Sequence, residues 1–384
     1  MDTETLLAQA GSGWDYRTGA VSMPLYQSAV YKHPALGKST GYDYTRTSNP
    51  TRFVLEELFA KLEQASGAYA FSSGLAALDA VFRALFQPPD NKSLAKRERL
   101  IISEDLYGGT FRLLENFFPH IETDYADTSD KKVMEEKGAK PFSAIFAEIP
   151  TNPLLKVCDI PYLSALAHKN SAKLIIDNTF LTSVNLCPIE LGADISVYSA
   201  TKYLGGHNDL LAGFAAAKDA VVAEKLKYIQ NAAGAVLNPF ESWLLLRSLK
   251  SLSVRMERQT ENSRKIAEYL TGHTAVAKVY YPGLKDAPGY SLLAAQSKSA
   301  GAIVSFELKR AEALPKVLEK VKVFSFAESL GGTESLITFP KLQTHADMGE
   351  ELLEKLGIND RFLRLSVGLE ASDDLLSDLE QALR

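Results

Sequence analysis

The chain has 384 residues, of which 46% are hydrophobic and 23% charged, and its formal net charge at pH 7 is −5. These values are typical of a globular protein with two domains, or with one large α/β domain and an appendage. The acidic balance argues against a nucleic-acid partner, and no apolar run is long enough to span a membrane. Cys158 and Cys187 lack metal-ligand spacing. Two cysteines in a chain of this length favour a reducing compartment over a disulfide framework. Residues 1–4 do not resemble a signal peptide, so we expect a cytoplasmic location.

The first 52 residues carry little hydrophobic periodicity and many glycines and prolines. They predict an extended N-terminal arm that must pack on something else. From residue 53 onward helices and strands alternate, which predicts a mostly parallel sheet with helices on both faces. The predicted elements are, in chain order, a helix over 53–64, a strand over 68–71, a helix over 74–86, a strand over 100–102, a helix over 111–117, a strand over 144–147, a helix over 162–168 and strands over 174–176 and 195–198. The polar residues 88–99 predict an exposed loop.

The pattern changes after residue 239, where one long helix is predicted over 240–273. Short strands and helices follow it and indicate a smaller α+β domain. The predicted strands are 276–281, 303–308, 324–327, 336–339 and 363–367, and the predicted helices are 311–320 and 372–383. We therefore expect three parts, which are an arm over 1–52, a large domain over 53–239 and a C-terminal domain over 240–384.

Lys202 follows two hydroxyl residues, Ser199 and Thr201, directly after a predicted strand. Asp177 directly follows another. An amine for an aldehyde, hydroxyls for a phosphate and an acid for a ring nitrogen are what pyridoxal phosphate needs from a protein. Each stretch also has a plainer interpretation. A lysine at a strand end is often solvated, and the plainer interpretation of Asp177 is an Asx turn with Asn178.

Other candidates lie where α/β sheets bind ligands, beyond the carboxyl ends of strands. Ser73 and Gly74 open a helix whose free N–H groups favour a phosphate, although an ordinary N-cap serine gives the same pattern. Tyr107 precedes two glycines and is either a loop tyrosine or a ring that stacks on a planar cofactor. Arg364 interrupts an apolar strand and needs an anion, which is either a structural carboxylate or that of a substrate. His207 has no second ligand at suitable spacing, so we interpret it as structural and assign no metal.

In their order and spacing these segments resemble the Cys/Met-metabolism family of pyridoxal-phosphate enzymes, which have fold type I. The family includes cystathionine γ-synthase, cystathionine β- and γ-lyases, methionine γ-lyase and the O-acylhomoserine sulfhydrylases. The resemblance runs nearly end to end, and its matching segments are 42–52, 72–75, 105–110, 150–153, 177–180, 199–203, 327–332 and 364–368. It implies an α/β fold with a pyridoxal-phosphate-binding large domain, a smaller C-terminal α+β domain and an arm that contacts a neighbouring subunit.

The resemblance assigns a role to each matching residue. Lys202 would form the Schiff base with the cofactor, Asp177 would pair with the ring nitrogen, and Tyr107 would stack on the ring. The phosphate would be held by Gly74, Leu75, Ser199 and Thr201, and by Tyr44 and Arg46 of a neighbouring subunit. The substrate carboxylate would be held by Asn152 and Arg364, with help from the backbone at Ser329. The family also implies a homotetramer built from two such dimers.

The particular reaction is harder to assign. The segment 328–332 resembles the γ-synthase and γ-lyase branch, and Gly109 stands where methionine γ-lyases usually have cysteine. The segment 206–213 resembles γ-synthases and enzymes that use O-acetylhomoserine. Thr47 stands where γ-synthases that use succinyl esters tend to have arginine. Arg112 is a candidate for binding a distal carboxylate.

Three hypotheses follow from these residues. The first is γ-replacement on an O-acyl-L-homoserine, preferably the O-acetyl ester, by L-cysteine to give L-cystathionine, with Lys202 and Tyr107 transferring protons. The second is a lyase that cleaves cystathionine, and an O-acetylhomoserine sulfhydrylase is a further variant. The third is a relative without catalytic activity, which the presence of both Lys202 and Asp177 argues against.

Overall fold

The computed structural model describes residues 1–86 and 98–384, which form two β-sheets with helices around them. Of the predicted loop over 88–99, residues 88–97 lie outside the described part of the chain. The predicted end of the loop at residue 99 is wrong, because Arg99 is the first residue of a buried strand. The Arg99 guanidinium pairs with Asp124 on the neighbouring strand and donates to the carbonyls of Lys137 and Lys140 at 3.0 and 3.1 Å. These bonds compensate for the burial of the charge.

Helices and strands alternate through the first part of the chain, as predicted. The helices are α1 (Thr3–Ala8), α2 (Pro50–Glu63), α3 (Gly74–Leu85), α4 (Gly108–Phe117), α5 (Lys131–Gly138), α6 (Ile160–Lys169), α7 (Thr182–Asn185) and α8 (Ala220–Ala233). The strands are β1 (Gly67–Phe71), β2 (Arg99–Ser103), β3 (Glu122–Ala126), β4 (Ala144–Glu148), β5 (Lys173–Asp177), β6 (Ile195–Ser199) and β7 (Gly213–Ala217). The sequence did not predict α1, β3, β7, α5, α7 or α8. The β7 segment consists of one phenylalanine with glycine and alanines, and the low strand propensity of glycine and alanine is overridden by burial between two strands.

These seven strands form one sheet in the order β1-β7-β6-β5-β4-β2-β3. Strand β7 runs antiparallel to its neighbours β1 and β6, and the other pairs are parallel. The mostly parallel sheet is therefore confirmed. Its architecture places the carboxyl ends of β1, β2, β4, β5 and β6 along one edge, where ligands of α/β sheets bind.

The second part of the chain forms a five-stranded sheet in the order β10-β11-β12-β9-β8. Its elements are α9 (Pro239–Leu249), α10 (Leu252–Gly272), β8 (Val276–Tyr280), α11 (Tyr290–Gln296), β9 (Ile303–Leu308), α12 (Leu314–Lys320), β10 (Ser325–Phe326), β11 (Leu336–Thr338), α13 (Glu350–Leu356), β12 (Phe362–Ser366) and α14 (Ser372–Leu383). All pairs are antiparallel except β10 with β11, which confirms a smaller α+β unit. Helices α11 and α13 were not predicted. The division of the chain at residues 52 and 239 stays a prediction.

The single helix predicted over 240–273 is two helices, α9 and α10, with a break at Lys250 and Ser251. The Ser248 carbonyl near the end of α9 accepts from Ser251 Oγ at 3.2 Å and from Arg255 Nη2 at 3.0 Å. Side chains thus satisfy a carbonyl that a continuous helix would use internally. Both segments have a composition typical of helices, so the hydrophobic periodicity of the sequence does not reveal the break between them.

The N-terminal arm is only partly extended. Helix α1 packs against α2, α7 and α10, and Leu7 and Met23 are buried in the core beneath α2. The middle of the arm is different, since Val30 and Leu36 are 68% and 104% exposed. In the described part of the chain no helix combines the length and apolarity needed to cross a membrane.

Candidate active site

The carboxyl ends of the parallel strands surround a cavity of about 360 Å³ that reaches the second sheet. Ten of the predicted site residues line it. They are Gly74, Leu75, Tyr107, Asn152, Asp177, Ser199, Thr201, Lys202, Ser329 and Arg364. Eight come from the large sheet and its loops, whereas Ser329 and Arg364 come from the second part of the chain. The fold therefore brings together residues that are up to 290 positions apart, from Gly74 to Arg364.

One end of the cavity is formed by the first turn of α3. Ser73 caps this helix, because its Oγ accepts from the Ala76 N–H at 3.1 Å. The Gly74 and Leu75 N–H groups are among the first of the helix and have no acceptor within it. A Cβ at Gly74 would lie 2.9 Å from Ser199 Cβ, so only glycine allows this close approach to β6. The N-cap interpretation and the anion-site interpretation are thus compatible, since the same turn serves both.

Two hydroxyl residues lie beside this turn. Ser199 ends β6, and its N–H donates to Thr179 Oγ1 at 2.8 Å. Thr201 Oγ1 accepts from the Ala212 N–H at 3.0 Å and donates to the Ala212 carbonyl at 3.2 Å, which holds the side chain at the edge of the cavity. The helix N-terminus and the Ser199 hydroxyl form a neutral donor set suited to a phosphate, and the Thr201 hydroxyl would join it by rotating away from the Ala212 carbonyl.

Lys202 lines the cavity and is largely, though not fully, withdrawn from solvent. Its Nζ donates to Ser329 Oγ at 2.8 Å. Burial and, to a smaller extent, the nearby Arg364 charge together lower the pKa of Lys202 to about 8. A lysine with such a pKa has a substantial neutral fraction near physiological pH and can act as a nucleophile or a base. The solvated-surface interpretation of this lysine is excluded by its burial.

Two carboxyl groups face the same cavity from neighbouring strands. Asp177 ends β5 and Glu148 ends β4, and the two are paired in the parallel register. Burial raises the pKa of Asp177 to about 6, and burial followed by repulsion from Asp177 raises the pKa of Glu148 well above its usual value. Asp177 Oδ1 accepts from Thr179 N–H and Oγ1 at 2.9 and 2.6 Å, so Asp177 is the better stabilised anion. The Asx contact is present, but it runs to Thr179 and not to Asn178.

Tyr107 lies on the same side of the cavity as Glu148. Its N–H donates to Glu148 Oε1 at 2.9 Å, which fixes the loop that leads into α4. A Cβ at Gly109 would lie 2.3 Å from the Tyr107 ring, so glycine is needed for the ring to fold back over the helix start. The ring is 39% exposed and lines the cavity, in a position to contact a planar ligand.

The opposite end of the cavity contains a buried guanidinium. Arg364 Nη1 donates to Asn152 Oδ1 at 2.8 Å, and Nη2 donates to the Ser329 carbonyl at 3.1 Å. Both acceptors are neutral, and Arg364 Nε is buried without a partner among the described residues. A buried cation with neutral partners and an unused donor is suited to a ligand carboxylate. The structure therefore favours the second of the two interpretations of Arg364.

These groups fit pyridoxal phosphate. The first turn of α3 with its neighbouring hydroxyls matches a phosphate, and a buried lysine of lowered pKa matches an aldehyde. Two buried carboxyl groups with raised pKa values need a cation, which a protonated ring nitrogen would supply. The fold and the site thus define a pyridoxal-phosphate-dependent enzyme.

Comparison with known proteins identifies the family. The family of Cys/Met metabolism PLP-dependent enzymes matches residues 4–384, and the chain belongs to it. The chain is 45% identical to a cystathionine gamma-synthase of Haemophilus influenzae, over 99% of this chain and 97% of that one. It is 43% identical to a cystathionine gamma-lyase of Bacillus subtilis, over 100% and 99% of the two chains. A solved cystathionine gamma synthase from Xanthomonas oryzae, in complex with aminoacrylate and cysteine, is 38% identical with a TM-score of 0.95 and coverages of 100% and 98%.

Three predicted site residues lie outside the cavity of their own chain. Arg46 Nη1 donates to the Asn231 carbonyl and Oδ1 at 2.7 and 2.9 Å, and its guanidinium lies 5.5 Å from the Tyr44 ring. Tyr44 is 45% exposed. Arg112 lies on the exposed side of α4 and does not line the cavity. A role for Tyr44 and Arg46 in a neighbouring subunit, and for Arg112 in substrate binding, stays a prediction.

The sequence analysis missed several residues of the cavity. Glu148 ends a buried strand just as Asp177 does, so the same signal identifies it. Glu328 and Thr344 also line the cavity. Glu328 directly follows the predicted strand over 324–327, so the same signal identifies it, whereas Thr344 lies five residues beyond the end of the predicted strand over 336–339. His207 Nδ1 contacts the Gly205 carbonyl at 2.7 Å, which agrees with the structural interpretation.

Proposed function

We propose that the protein catalyses γ-replacement on an O-acyl-L-homoserine, with O-acetyl-L-homoserine as the preferred substrate and L-cysteine as the thiol, to give L-cystathionine. The observation that carries the proposal is the arrangement around Lys202, whose buried amine binds Ser329 Oγ beside the Arg364 guanidinium. Ser329 thereby binds both the base, Lys202, through its hydroxyl and the carboxylate-binding Arg364 through its carbonyl. The similarity to cystathionine gamma-synthases over nearly the whole chain supports this reaction.

Each residue of the cavity has its own role in the proposed reaction. Arg364 and Asn152 bind the substrate carboxylate and so present Cα to Lys202. Lys202, with its pKa lowered to about 8, removes the proton from Cα and then one from Cβ as the acyloxy group leaves Cγ. After the cysteine thiol has given up its proton and its sulfur has bonded to Cγ, Lys202 returns protons to Cβ and Cα. Tyr107 is the second proton donor and acceptor. When bound, pyridoxal phosphate supplies an electron-withdrawing ring that makes the proton on Cα acidic, and Asp177 keeps its ring nitrogen protonated.

The second candidate is a γ-lyase that cleaves cystathionine, which is favoured by the similarity to a cystathionine gamma-lyase over the full chain. Lys202, the carboxylate-binding residues Asn152 and Arg364, and the buried carboxyl groups of the cavity would serve both reactions. The holoenzyme should be given O-acetylhomoserine with cysteine, and then cystathionine alone, and the two kcat/KM values compared. A kcat/KM for cystathionine cleavage well above that for synthesis would show that the protein is a lyase.

The acyl group is predicted from the absence of a suitable cation at position 47. Thr47 Oγ1 lies 3.4 Å from Asn231 Oδ1, a contact between neutral groups. A charge-assisted contact to a succinyl carboxylate is worth about 1.5–3 kcal/mol, or roughly ten- to a hundred-fold in kcat/KM. We therefore expect O-acetylhomoserine to be preferred over O-succinylhomoserine by about that factor.

The test of this preference uses one substitution. Thr47→Arg should improve kcat/KM for the succinyl ester and leave the acetyl ester nearly unchanged, while Thr47→Val serves as the uncharged control. Equal kcat/KM values for the two esters in the wild type would contradict the prediction. That result would point to Arg112 as the cation that binds the succinyl group.

A further inference from the structure

His345 lies in the turn between the short 3₁₀ segments Pro340–Leu342 and Ala346–Met348, and it is fully buried. Its Nε2 lies 2.9 Å from the Asn152 carbonyl, and its Nδ1 lies 2.7 Å from Thr344 Oγ1. The Leu106 carbonyl, which precedes Tyr107, also faces the ring. A histidine from the second part of the chain therefore contacts two loops of the large sheet, and both loops carry predicted site residues.

The contacts determine which ring nitrogen carries the proton. Burial lowers the pKa of His345 to about 4, so the ring is neutral and has one N–H at physiological pH. The Asn152 carbonyl can only accept, so Nε2 is the donor. Nδ1 is then the acceptor, and the Thr344 hydroxyl donates to it. With the proton on Nε2, the bonds to Asn152 and Thr344 together hold the ring in one orientation.

A continuous series of hydrogen bonds leads from this ring to the reactive lysine. His345 donates to the carbonyl of Asn152, whose side-chain Oδ1 accepts from Arg364. Arg364 donates to the Ser329 carbonyl, and Ser329 Oγ accepts from Lys202. Residue 152 is thus held at its main chain by the histidine and at its side chain by the guanidinium.

The turn that carries His345 is fitted closely against the start of α4. A Cβ at Gly108 would lie 2.4 Å from the Thr344 carbonyl, a backbone atom that cannot move aside by a side-chain rotation. Because Thr344 also lines the cavity, this packing sets the position of the histidine relative to the site. The contact requires glycine at position 108.

We propose that His345 is a positioning residue for the substrate carboxylate. Its bond to the Asn152 carbonyl holds the Asn152 amide where that amide and Arg364 together receive the carboxylate. The inference rests on the proposed function, in which these two residues bind the carboxylate. It adds a third residue, which does not touch the ligand and acts only through Asn152.

The test measures ligand binding to the holoenzyme by the change in visible absorbance of the bound cofactor. Glycine carries an amine and a carboxylate, whereas methylamine carries the amine alone. His345→Leu should weaken glycine binding about tenfold, the equivalent of one hydrogen bond, and leave methylamine binding unchanged. His345→Gln keeps a donor near the position of Nε2 and should retain most of the glycine affinity. The KM for the amino-acid substrate should rise in His345→Leu with little change in kcat.

Two further variants make the outcome decisive. His120 Nε2 contacts the Phe86 carbonyl at 3.4 Å, remote from the cavity, so His120→Leu is a matched control that should leave glycine binding unchanged. Arg364→Gln should weaken glycine and not methylamine. If it does not, the carboxylate site of the proposed function is wrong. If Arg364→Gln behaves as expected but His345→Leu binds glycine normally, or loses glycine and methylamine equally, the role of His345 alone is overturned. Equal behaviour of the Leu and Gln variants would overturn it as well.

Discussion

Lys202, Asp177 and Glu148 illustrate how burial sets the chemistry of individual residues. Burial lowers the pKa of the lysine to about 8 and raises that of Asp177 to about 6, so each shift favours the neutral form. A cationic ring bound beside the two carboxyl groups would lower their pKa values again, because it would supply the charge that stabilises their ionised forms. The pKa of the lysine is lowered first by burial and then by the neighbouring Arg364 charge. Burial in the cavity thus shifts the pKa values of Lys202 and Asp177 towards neutral pH.

Glu63, at the end of α2, is a buried carboxyl group outside the cavity. Its Oε1 accepts from Tyr198 Oη at 2.6 Å and its Oε2 from Ser196 Oγ at 2.7 Å. Burial raises the pKa of Glu63 from 4.5 to about 7, and the nearby Glu190 charge adds to the shift. Because the folded-state pKa is raised, the contribution to stability is complete below pH 4.5 and is lost as the pH rises through 7.

Replacing this carboxyl group should make stability less dependent on pH. Glu63→Gln should raise the free energy of unfolding at pH 8 by up to about 3 kcal/mol relative to the wild type, with little gain at pH 4.5. Urea unfolding of the holoprotein at the two pH values measures the difference. Glu312→Gln, at an exposed glutamate, is the control. The same change in stability at both pH values would contradict the assigned pKa shift.

At the scale of elements, α2 begins three residues earlier than the predicted start at residue 53. Asn49 is the reason, because its Oδ1 accepts from the N–H groups of Thr51 and Arg52 at 2.9 and 3.4 Å. Pro50 at the first helical position has the backbone angle that a helix start requires. The Asn49 Nδ2 donates to the Tyr26 carbonyl at 2.9 Å, so one side chain both caps the helix and anchors the arm.

The two roles of Asn49 can be separated by substitution. Asn49→Ala should lose the cap and the arm contacts and cost about 2 kcal/mol or more. Asn49→Ser keeps a capping oxygen and should cost less, yet it should loosen the arm as much as alanine does. Thermal unfolding measures the first effect, and limited proteolysis within residues 28–46 measures the second. Equal losses of stability in the two variants would show that the cap contributes nothing.

At the scale of the whole molecule, the arm leaves apolar side chains uncovered. Val30 and Leu36 are 68% and 104% exposed, and Arg46 lies outside the cavity of its own chain. Exposed apolar groups on a segment without its own core favour a contact with another chain. We therefore propose that the arm completes the phosphate site of a neighbouring subunit, in a homotetramer of two such dimers.

Subunit mixing tests this arrangement. Arg46→Ala and Lys202→Ala chains should each be nearly inactive alone. A mixed dimer should contain one site with both defects and one with neither, so random exchange at equal amounts should restore about a quarter of the wild-type activity. Exchange is demonstrated separately with a tagged chain. No recovery despite demonstrated exchange would place Arg46 in the site of its own subunit.

The sequence alone determined the class of fold and the centre of the site. Strand ends followed by Ser73, Asp177 or Lys202 are local signals, because a strand that stops at a polar residue places that residue at the edge of the sheet. The same logic applied to β4 identifies Glu148. Regular elements with strong periodicity were predicted within a few residues, whereas β7 was missed because its alanines carry no strand preference.

Only the tertiary structure decided which distant segments share the cavity and how their charges act on one another. The position of Arg364 beside Asn152, and of His345 behind it, depends on the packing of the second sheet against loops of the first. These contacts join residues about 200 positions apart, and hydrophobic periodicity carries no information on such pairs. The pKa of Lys202 likewise follows from burial, which is a property of the folded surroundings and not of the residue type.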